Sequence, residues 1–293
     1  MLVYLALTVA VLAVSTSAPL VHAASPAPAM TVAALRIAIA ALLLSAIAGR
    51  RMAVVRRLSA RETGMVVLAG ALLACHFGVW ISSLYLTSTA ASVALVATQP
   101  MFAAVLARIF LRETLGGREV VGIGVAAAGC LLLAGGDLGR DGAIAGDLLA
   151  IAGAATAAAY LTVGRGLRAS LPLSPYLAWV NLVAAVCLLT AALLMDAPLL
   201  GFESGVYLAI LACAALPSLV GHTLLNWSVR RVAAHVVCLA ILGEPIGASL
   251  IQWAAHGEVP PLSAVFGGAV ILLGIAVGFA RPSASATKLS GSE

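Results

Sequence analysis

Two prolines that each follow a polar residue interrupt long apolar stretches, at Gln99-Pro100 and Glu244-Pro245. Within a helix, proline removes a backbone hydrogen bond and bends the chain. A carboxylate or an amide beside such a bend can bind polar groups of a ligand, and a buried carboxylate can also carry a proton. We therefore predict kinks at Pro100 and Pro245, with Gln99 and Glu244 contacting a bound ligand. The alternatives are a packing kink for Gln99-Pro100 and a protonated or paired structural role for Glu244.

Two further groups of polar and aromatic residues recur every three or four positions. That spacing places side chains on one face of a helix. Polar side chains are costly on a helix face that contacts an apolar medium. Both faces are therefore predicted to point inward and to line one central site together with Tyr160. The alternative is that each histidine is a hydrogen-bonded packing residue. The two groups are His76, Trp80 and Ser83, and Ser218, His222 and Asn226.

Arg36 lies seven residues into an apolar stretch that begins at residue 29. At 1.5 Å per helical residue this position is about 10 Å deep. A flexible arginine side chain can extend over that distance to a polar surface, and we favour this anchoring role. The alternatives are that Arg36 holds a carboxylate of the ligand or pairs with Glu244.

The composition defines the elements that must position these side chains. Of the 293 residues, 63% are hydrophobic and 9% are charged, whereas soluble domains carry about 25% charged residues. This excludes an ordinary soluble domain, a disordered chain and a nucleic-acid-binding domain. We predict an all-α membrane protein with ten transmembrane helices, because ten apolar stretches approach the length that spans a bilayer. They cover 2–22, 29–48, 63–85, 89–110, 118–136, 144–164, 174–195, 205–228, 233–253 and 262–281.

Basic residues alternate between the predicted loops and thereby indicate the orientation. Loops on one side are rich in arginine, and those on the other side carry mainly acidic residues. We therefore predict a multi-pass protein of the cell inner (plasma) membrane with both termini in the cytoplasm. The basic loop 50–61 is also able to bind anionic lipid, although topology alone accounts for it. The residues assigned to the cytoplasmic side are Arg50, Arg51, Arg56, Arg57, Arg61, Arg108, Arg112, Arg118, Arg165, Arg168, Arg230, Arg231, Arg281 and Lys288.

The sequence contains an internal duplication. When it is shifted by 145 residues, Pro100, Glu113, Gly122 and Gly129 fall on Pro245, Glu258, Gly267 and Gly274. Five helices per repeat is an odd number, so the second repeat is predicted to insert upside down around a central cavity. We assign residues 1–138 to the first repeat, 144–281 to the second, and 282–293 to a disordered tail.

This arrangement resembles the drug/metabolite transporter superfamily. The P-x12-E-x8-G-x6-G pattern that closes each half is similar to the EamA branch of ten-helix exporters, and the polar, aromatic third helix resembles YddG-type amino-acid exporters. The resemblance implies a secondary transporter that exports aromatic or other large neutral amino acids, or similar small metabolites, by alternating access. The runner-up is an exporter of drugs or hydrophobic cations.

The sequence lacks the motifs of two other classes of protein, an intramembrane enzyme and a channel. The sequence has no H-E-x-x-H, no G-x-S-x-G and no nucleotide-binding G-x4-G-K motif, and no run typical of a selectivity filter. We expect no enzyme activity, cofactor or metal, and the five cysteines are interpreted as small hydrophobic residues. The expected partners are a small-molecule substrate and membrane lipid, without nucleic acid, in a monomer or weak homodimer. Gly274-x3-Gly278 is assigned to packing within the chain.

Overall fold

The computed structural model describes residues 1–112, 114–134, 143–167, 171–256 and 262–279, and in these ranges all regular secondary structure is helical. The motif residues Glu113 and Glu258 and the tail 282–293 lie outside the described residues. We number the helical segments in chain order as α1 (Leu2–Ser15 and Ser17–Ala23), α2 (Ala29–Ala48), α3 (Ala60–Ser83), α4 (Thr89–Val96, Gln99–Leu106 and the π-helical Ala107–Leu111), α5 (Gly117–Ala134), α6 (Ala143–Leu167), α7 (Leu173–Leu194), α8 (Ser204–Cys213, the π-helical Ala214–His222 and Thr223–Ser228), α9 (Ala234–Ile241 and Glu244–His256) and α10 (Leu262–Phe279).

Eight of these segments are long and apolar enough to cross a bilayer, namely all except α5 and α10. Within α10, Val265–Gly278 is a shorter apolar helix. The protein is therefore a multi-pass helical membrane protein. The count of ten crossings stays a prediction, because length and composition support eight in the part of the chain that the structure describes.

The segment 49–62, predicted as a loop, contains regular structure. Gly49 ends α2 with φ of 49°, in the left-handed region that glycine adopts without strain, and a 3₁₀ helix follows over Gly49–Arg57. The helix α3 then begins at Ala60, three residues before the predicted start. The Ser59 hydroxyl accepts a hydrogen bond from the Glu62 backbone N–H, and the Glu62 carboxylate accepts one from the Ser59 N–H. This capping box fixes the start of α3.

The Gln-Pro and Glu-Pro positions lie where regular α-helix is interrupted for two residues, and Ala97, Thr98 and Leu242 in these interruptions keep αR dihedral angles. The first part of α4 ends at Val96 and the second begins at Gln99, while α9 ends its first part at Ile241 and resumes at Glu244. Each proline is thus the second residue of a new helix, where its missing N–H would have had no helical partner. The breaks place Gln99 and Glu244 at helix N-termini.

The helices α5 and α10 pack against each other through glycines. A Cβ atom on Gly122 would lie 2.7 Å from the Gly274 carbonyl oxygen and from Gly278 Cα, and one on Gly129 would lie 2.8 Å from the Gly267 carbonyl oxygen. Because the contact moves backward along α10 as it advances along α5, the two helices are antiparallel. Gly274 and Gly278 are therefore used for packing within the chain.

We predict that Gly122→Ala lowers the free energy of unfolding by about 1–3 kcal/mol, because the added methyl group meets backbone atoms that cannot rotate away. Gly124→Ala on the same helix is the matched control, since no atom lies within 4 Å of its would-be Cβ. That variant should be neutral or slightly stabilising, as alanine favours a helix. Thermal unfolding of the detergent-purified variants measures the difference, and equal melting temperatures would refute the close approach.

Candidate substrate-binding site

The breaks in α1, α4 and α9 surround a buried cavity of about 40 Å³. A water molecule needs about 10–15 Å³ of such space, so the cavity has room for only a few waters. Seven of the residues singled out from the sequence line it, namely Arg36, His76, Trp80, Gln99, Tyr160, His222 and Glu244. The lining residues that the sequence analysis missed are Val14, Ser17, Val96, Ala157, Leu161, Leu225 and Ile241.

The lining contains pairs of residues that lie 145 positions apart in the sequence. These pairs are Trp80 with Leu225, Val96 with Ile241, and Gln99 with Glu244. Beside the cavity, the rings of Phe77 and His222, another such pair, lie 5.2 Å apart. The two halves of the chain thus contribute matched positions to one site.

Arg36 is the largest fully buried side chain, with 0% of its surface exposed. Its Nε donates to Ser218 Oγ at 2.8 Å and its Nη1 to Ser17 Oγ at 2.7 Å. The guanidinium carbon lies 4.4 Å from the centroid of the Phe77 ring, within the range of a cation–π contact. The favoured prediction, that Arg36 extends to the membrane surface, is therefore wrong. The side chain turns inward because two serine hydroxyls and an aromatic face hold its charge there.

Glu244 is the acidic member of the lining and is 8% exposed. As the first residue of its helix, it lies where the helix dipole favours a negative charge. Among the described residues no salt bridge joins Glu244 to Arg36, although both line the cavity. Direct pairing, one alternative for Arg36, is therefore absent from this arrangement. The cavity instead has a cation and a carboxyl group on its walls.

Aromatic and imidazole rings form another part of the wall. His76 Nδ1 donates to the Gly153 carbonyl oxygen at 3.0 Å, since a carbonyl can only accept. The His76 ring is stacked on Trp80 with an interplanar angle of 1° and a centroid separation of 6.0 Å. The centroids of the His222 and His76 rings are 6.3 Å apart. This wall offers flat apolar surface together with a few polar atoms.

Three buried polar atoms of the predicted residues have no hydrogen-bond partner in the described part of the chain: Trp80 Nε1, His222 Nδ1 and Asn226 Oδ1. An unpaired buried polar atom costs about 1–3 kcal/mol. Trp80 and His222 line the cavity, but these two nitrogens are themselves buried, so a polar ligand group reaches them only when the walls move.

Three predicted residues do not line the cavity. Ser218 holds Arg36, and Asn226 Nδ2 donates to Tyr160 Oη at 2.6 Å, so both support lining residues from behind. Ser83 instead bonds Ser92 Oγ at 2.6 Å between α3 and α4. Sequence spacing placed these residues on the correct helices, but only the packed structure separates the lining from its support.

Comparison with known proteins gives the family. A model described as the EamA-like transporter family matches residues 1–135 and 144–279. The chain belongs to this family. It is 28% identical over 253 residues to a probable terminal-alkyne amino-acid exporter of Streptantibioticus cattleyicolor, covering 84% of this chain and 80% of the relative. It is 24% identical over 184 residues to the uncharacterized transporter YdfC of Bacillus subtilis, covering 62% of this chain and 59% of that protein.

A solved structure shows the same fold. One crystal structure of a protein superposes on this EamA chain with a TM-score of 0.78 and 21% identity, covering 94% of this chain and 95% of the other. The family and the names of the relatives identify a membrane transporter.

We predict that Ser17→Ala and Ser218→Ala each lower the free energy of unfolding by about 1.5–3 kcal/mol, because each removes a hydrogen bond to a buried charge. The matched control is Ser82→Ala, whose hydroxyl bonds only the Gly78 carbonyl of its own helix at 2.7 Å. Thermal unfolding in detergent compares the three variants. A Ser17→Ala protein as stable as Ser82→Ala would show that Arg36 does not depend on this contact.

Proposed function

We propose that this EamA transporter exports amino acids. In its cavity, the α-carboxylate of the substrate binds the cationic Arg36 and the α-ammonium group binds the carboxylate of Glu244. The observation that carries the proposal is that Arg36 and Glu244 line one cavity without a salt bridge between them in the described chain. A buried charge is costly unless it is paired. A zwitterion brings an opposite charge into direct contact with each of the two groups, whereas an ordinary apolar solute brings neither.

The carboxylate is assigned to Arg36. A guanidinium has five N–H donors in a planar fork that matches a carboxylate, and protein hydroxyls occupy two of its nitrogens, Nε and Nη1. Gln99 adds an amide at the N-terminus of the second part of α4, where the helix dipole favours an anion. The ammonium group is assigned to Glu244.

The amino-acid side chain is assigned to the wall formed by His76, Trp80 and His222. Flat rings suit aromatic or other large neutral side chains, and the unpartnered nitrogens can orient a polar substituent. The relative in Streptantibioticus cattleyicolor, a probable amino-acid exporter, supports this choice of substrate class.

We further propose ten transmembrane helices in two inverted five-helix repeats. Four observations support this: the family match in two segments, the matched residue pairs in the lining, the corresponding breaks in α4 and α9, and the antiparallel contact of α5 with α10. A cavity of about 40 Å³ is too small for an amino acid. Transport therefore requires the walls to separate, as alternating access between repeats provides.

A second candidate is an exporter of hydrophobic cations. A buried carboxyl group beside aromatic rings is a suitable site for an organic cation. The two candidates differ in the use of Arg36, because a cation without a carboxylate gains nothing from the guanidinium.

We expect Glu244→Gln to reduce amino-acid transport by about 10- to 100-fold, the equivalent of a charge-assisted hydrogen bond. Both gradient-driven uptake and downhill exchange in proteoliposomes should fall. Analogues that lack the amine should be affected much less. Glu203→Gln, at an exposed position before α8, is the matched control and should transport like the wild type.

Other outcomes for Glu244→Gln would contradict the ammonium assignment. Loss of accumulation with intact exchange would make Glu244 a proton carrier instead. Unchanged transport between pH 5 and 8 would make it structural. Efficient transport of a carboxylate-free amine by both the wild type and Arg36→Gln would favour the hydrophobic-cation exporter.

The orientation is tested separately, and we expect the 3₁₀ helix Gly49–Arg57 to face the cytoplasm. In a variant without native cysteines, Ala53→Cys should resist an impermeant maleimide added to intact cells and react after permeabilisation. Leu200→Cys, exposed in the loop between α7 and α8, should react in intact cells. The reverse pattern would invert the topology.

A further inference from the structure

A second cavity lies at the surface end of α2 and α7, remote from the candidate substrate site. Its volume is about 510 Å³, far larger than the roughly 30 Å³ that a water molecule occupies in the liquid. The 3₁₀ helix Gly49–Arg57 forms one wall, and the prolines at the start of α7 form the other. The lining residues are Arg50, Arg51, Ala53, Val54, Arg57, Pro172 and Pro175, so the charged members are all basic.

Within the described part of the chain, the three arginines of this basic pocket have no partner. They are exposed, and none of them makes a hydrogen bond or ion pair with another described residue. Two loop arginines elsewhere do have partners. Arg165 donates to the carbonyl oxygens of Val229 and Val232, and Arg231 lies 3.4 Å from the Trp227 ring centroid and donates to its carbonyl oxygen.

The backbone beneath these arginines is held in place. Trp179 Nε1 of α7 donates to the Met52 carbonyl oxygen at 3.1 Å, and Met52, Val54 and Leu58 pack against the main apolar cluster. The 3₁₀ helix is therefore a fixed platform. A ligand that binds there loses little free energy in ordering the backbone, and this preorganisation favours binding.

We propose that this basic pocket binds the phosphate group of an anionic glycerophospholipid. Guanidinium groups match phosphate oxygens with paired hydrogen bonds. The pocket lies at the end of the apolar span Ala29–Arg57, which is the level of lipid headgroups. The last turns of α2 also expose Leu43 and Ile47, so acyl chains have apolar surface close by. A soluble phosphate compound would use the same arginines but would gain nothing from that surface.

The test measures lipid binding to the full-length, delipidated protein in detergent by native mass spectrometry. Wild-type protein should retain phosphatidylglycerol in preference to phosphatidylcholine. Each arginine near an anionic lipid contributes about fivefold in affinity, so Arg50→Gln/Arg51→Gln/Arg57→Gln should weaken phosphatidylglycerol binding by about a hundredfold. The matched control is Arg56→Gln, an exposed arginine of the same 3₁₀ helix that does not line the pocket. Because it does not line the pocket, its loss should weaken binding by clearly less than the roughly fivefold expected for each lining arginine.

Three results would overturn the proposal. The first is equal retention of both lipids by the wild type. The second is a loss of phosphatidylglycerol affinity in Arg56→Gln as large as in the single variants Arg50→Gln, Arg51→Gln and Arg57→Gln. These single variants also replace the triple variant if it does not fold. The third is displacement of phosphatidylglycerol by an equal concentration of free glycerol phosphate, which would make the ligand a soluble phosphate. None of these results depends on which substrate is transported.

Discussion

The site depends on keeping the charge of Arg36 away from water inside an apolar bundle. A guanidinium cannot be neutralised in a protein, so its surroundings must compensate for the lost hydration. Three elements do this, since α1 and α8 supply serine hydroxyls and α3 supplies the Phe77 ring. These contacts fix α1, α3 and α8 around α2. They also explain why polar residues recur on α8, because Ser218 supports the cation rather than contacting the cavity directly.

Breaks in the helices convert this charged core into a site. An unbroken helix presents only side chains, because its backbone groups bond one another. The two-residue breaks in α4 and α9 instead direct helix N-termini at the cavity, at Gln99 and at Glu244. The glycine contact of α5 with α10 lies elsewhere, in a second apolar cluster that also includes parts of α4 and α9. The glycine contact between α5 and α10 thus belongs to the packed periphery, whereas the interruptions of α4 and α9 lie at the cavity.

Hydropathy and spacing predicted the helical class, most helix positions and the family, because these depend on periodic apolar surface and on motifs along the chain. They also indicated Gln99 and Glu244, since a polar residue beside a proline is conspicuous in an apolar stretch. The direction in which the Arg36 side chain points could not be predicted from the sequence, because it depends on Ser17 and Ser218 in other segments of the chain. Ser17 itself has no local signal, as a serine inside an apolar helix is common. Ser83 shared the spacing of His76 and Trp80 but bonds to Ser92, because helical spacing does not reveal which neighbour covers a face.

The break in α1 connects the two charged positions of the site. Ser17 Oγ accepts a hydrogen bond from Arg36, and Ser15 Oγ lies 3.4 Å from the Glu244 backbone oxygen. A Cβ atom on Gly247 would collide with Ser15 Oγ, so the two helices touch with no space between them. The segment around the break in α1 therefore contacts both Arg36 and the start of the second part of α9. Because tightly packed helices move together rather than compress, a shift of α1 at this level would also shift the helix that begins at Glu244.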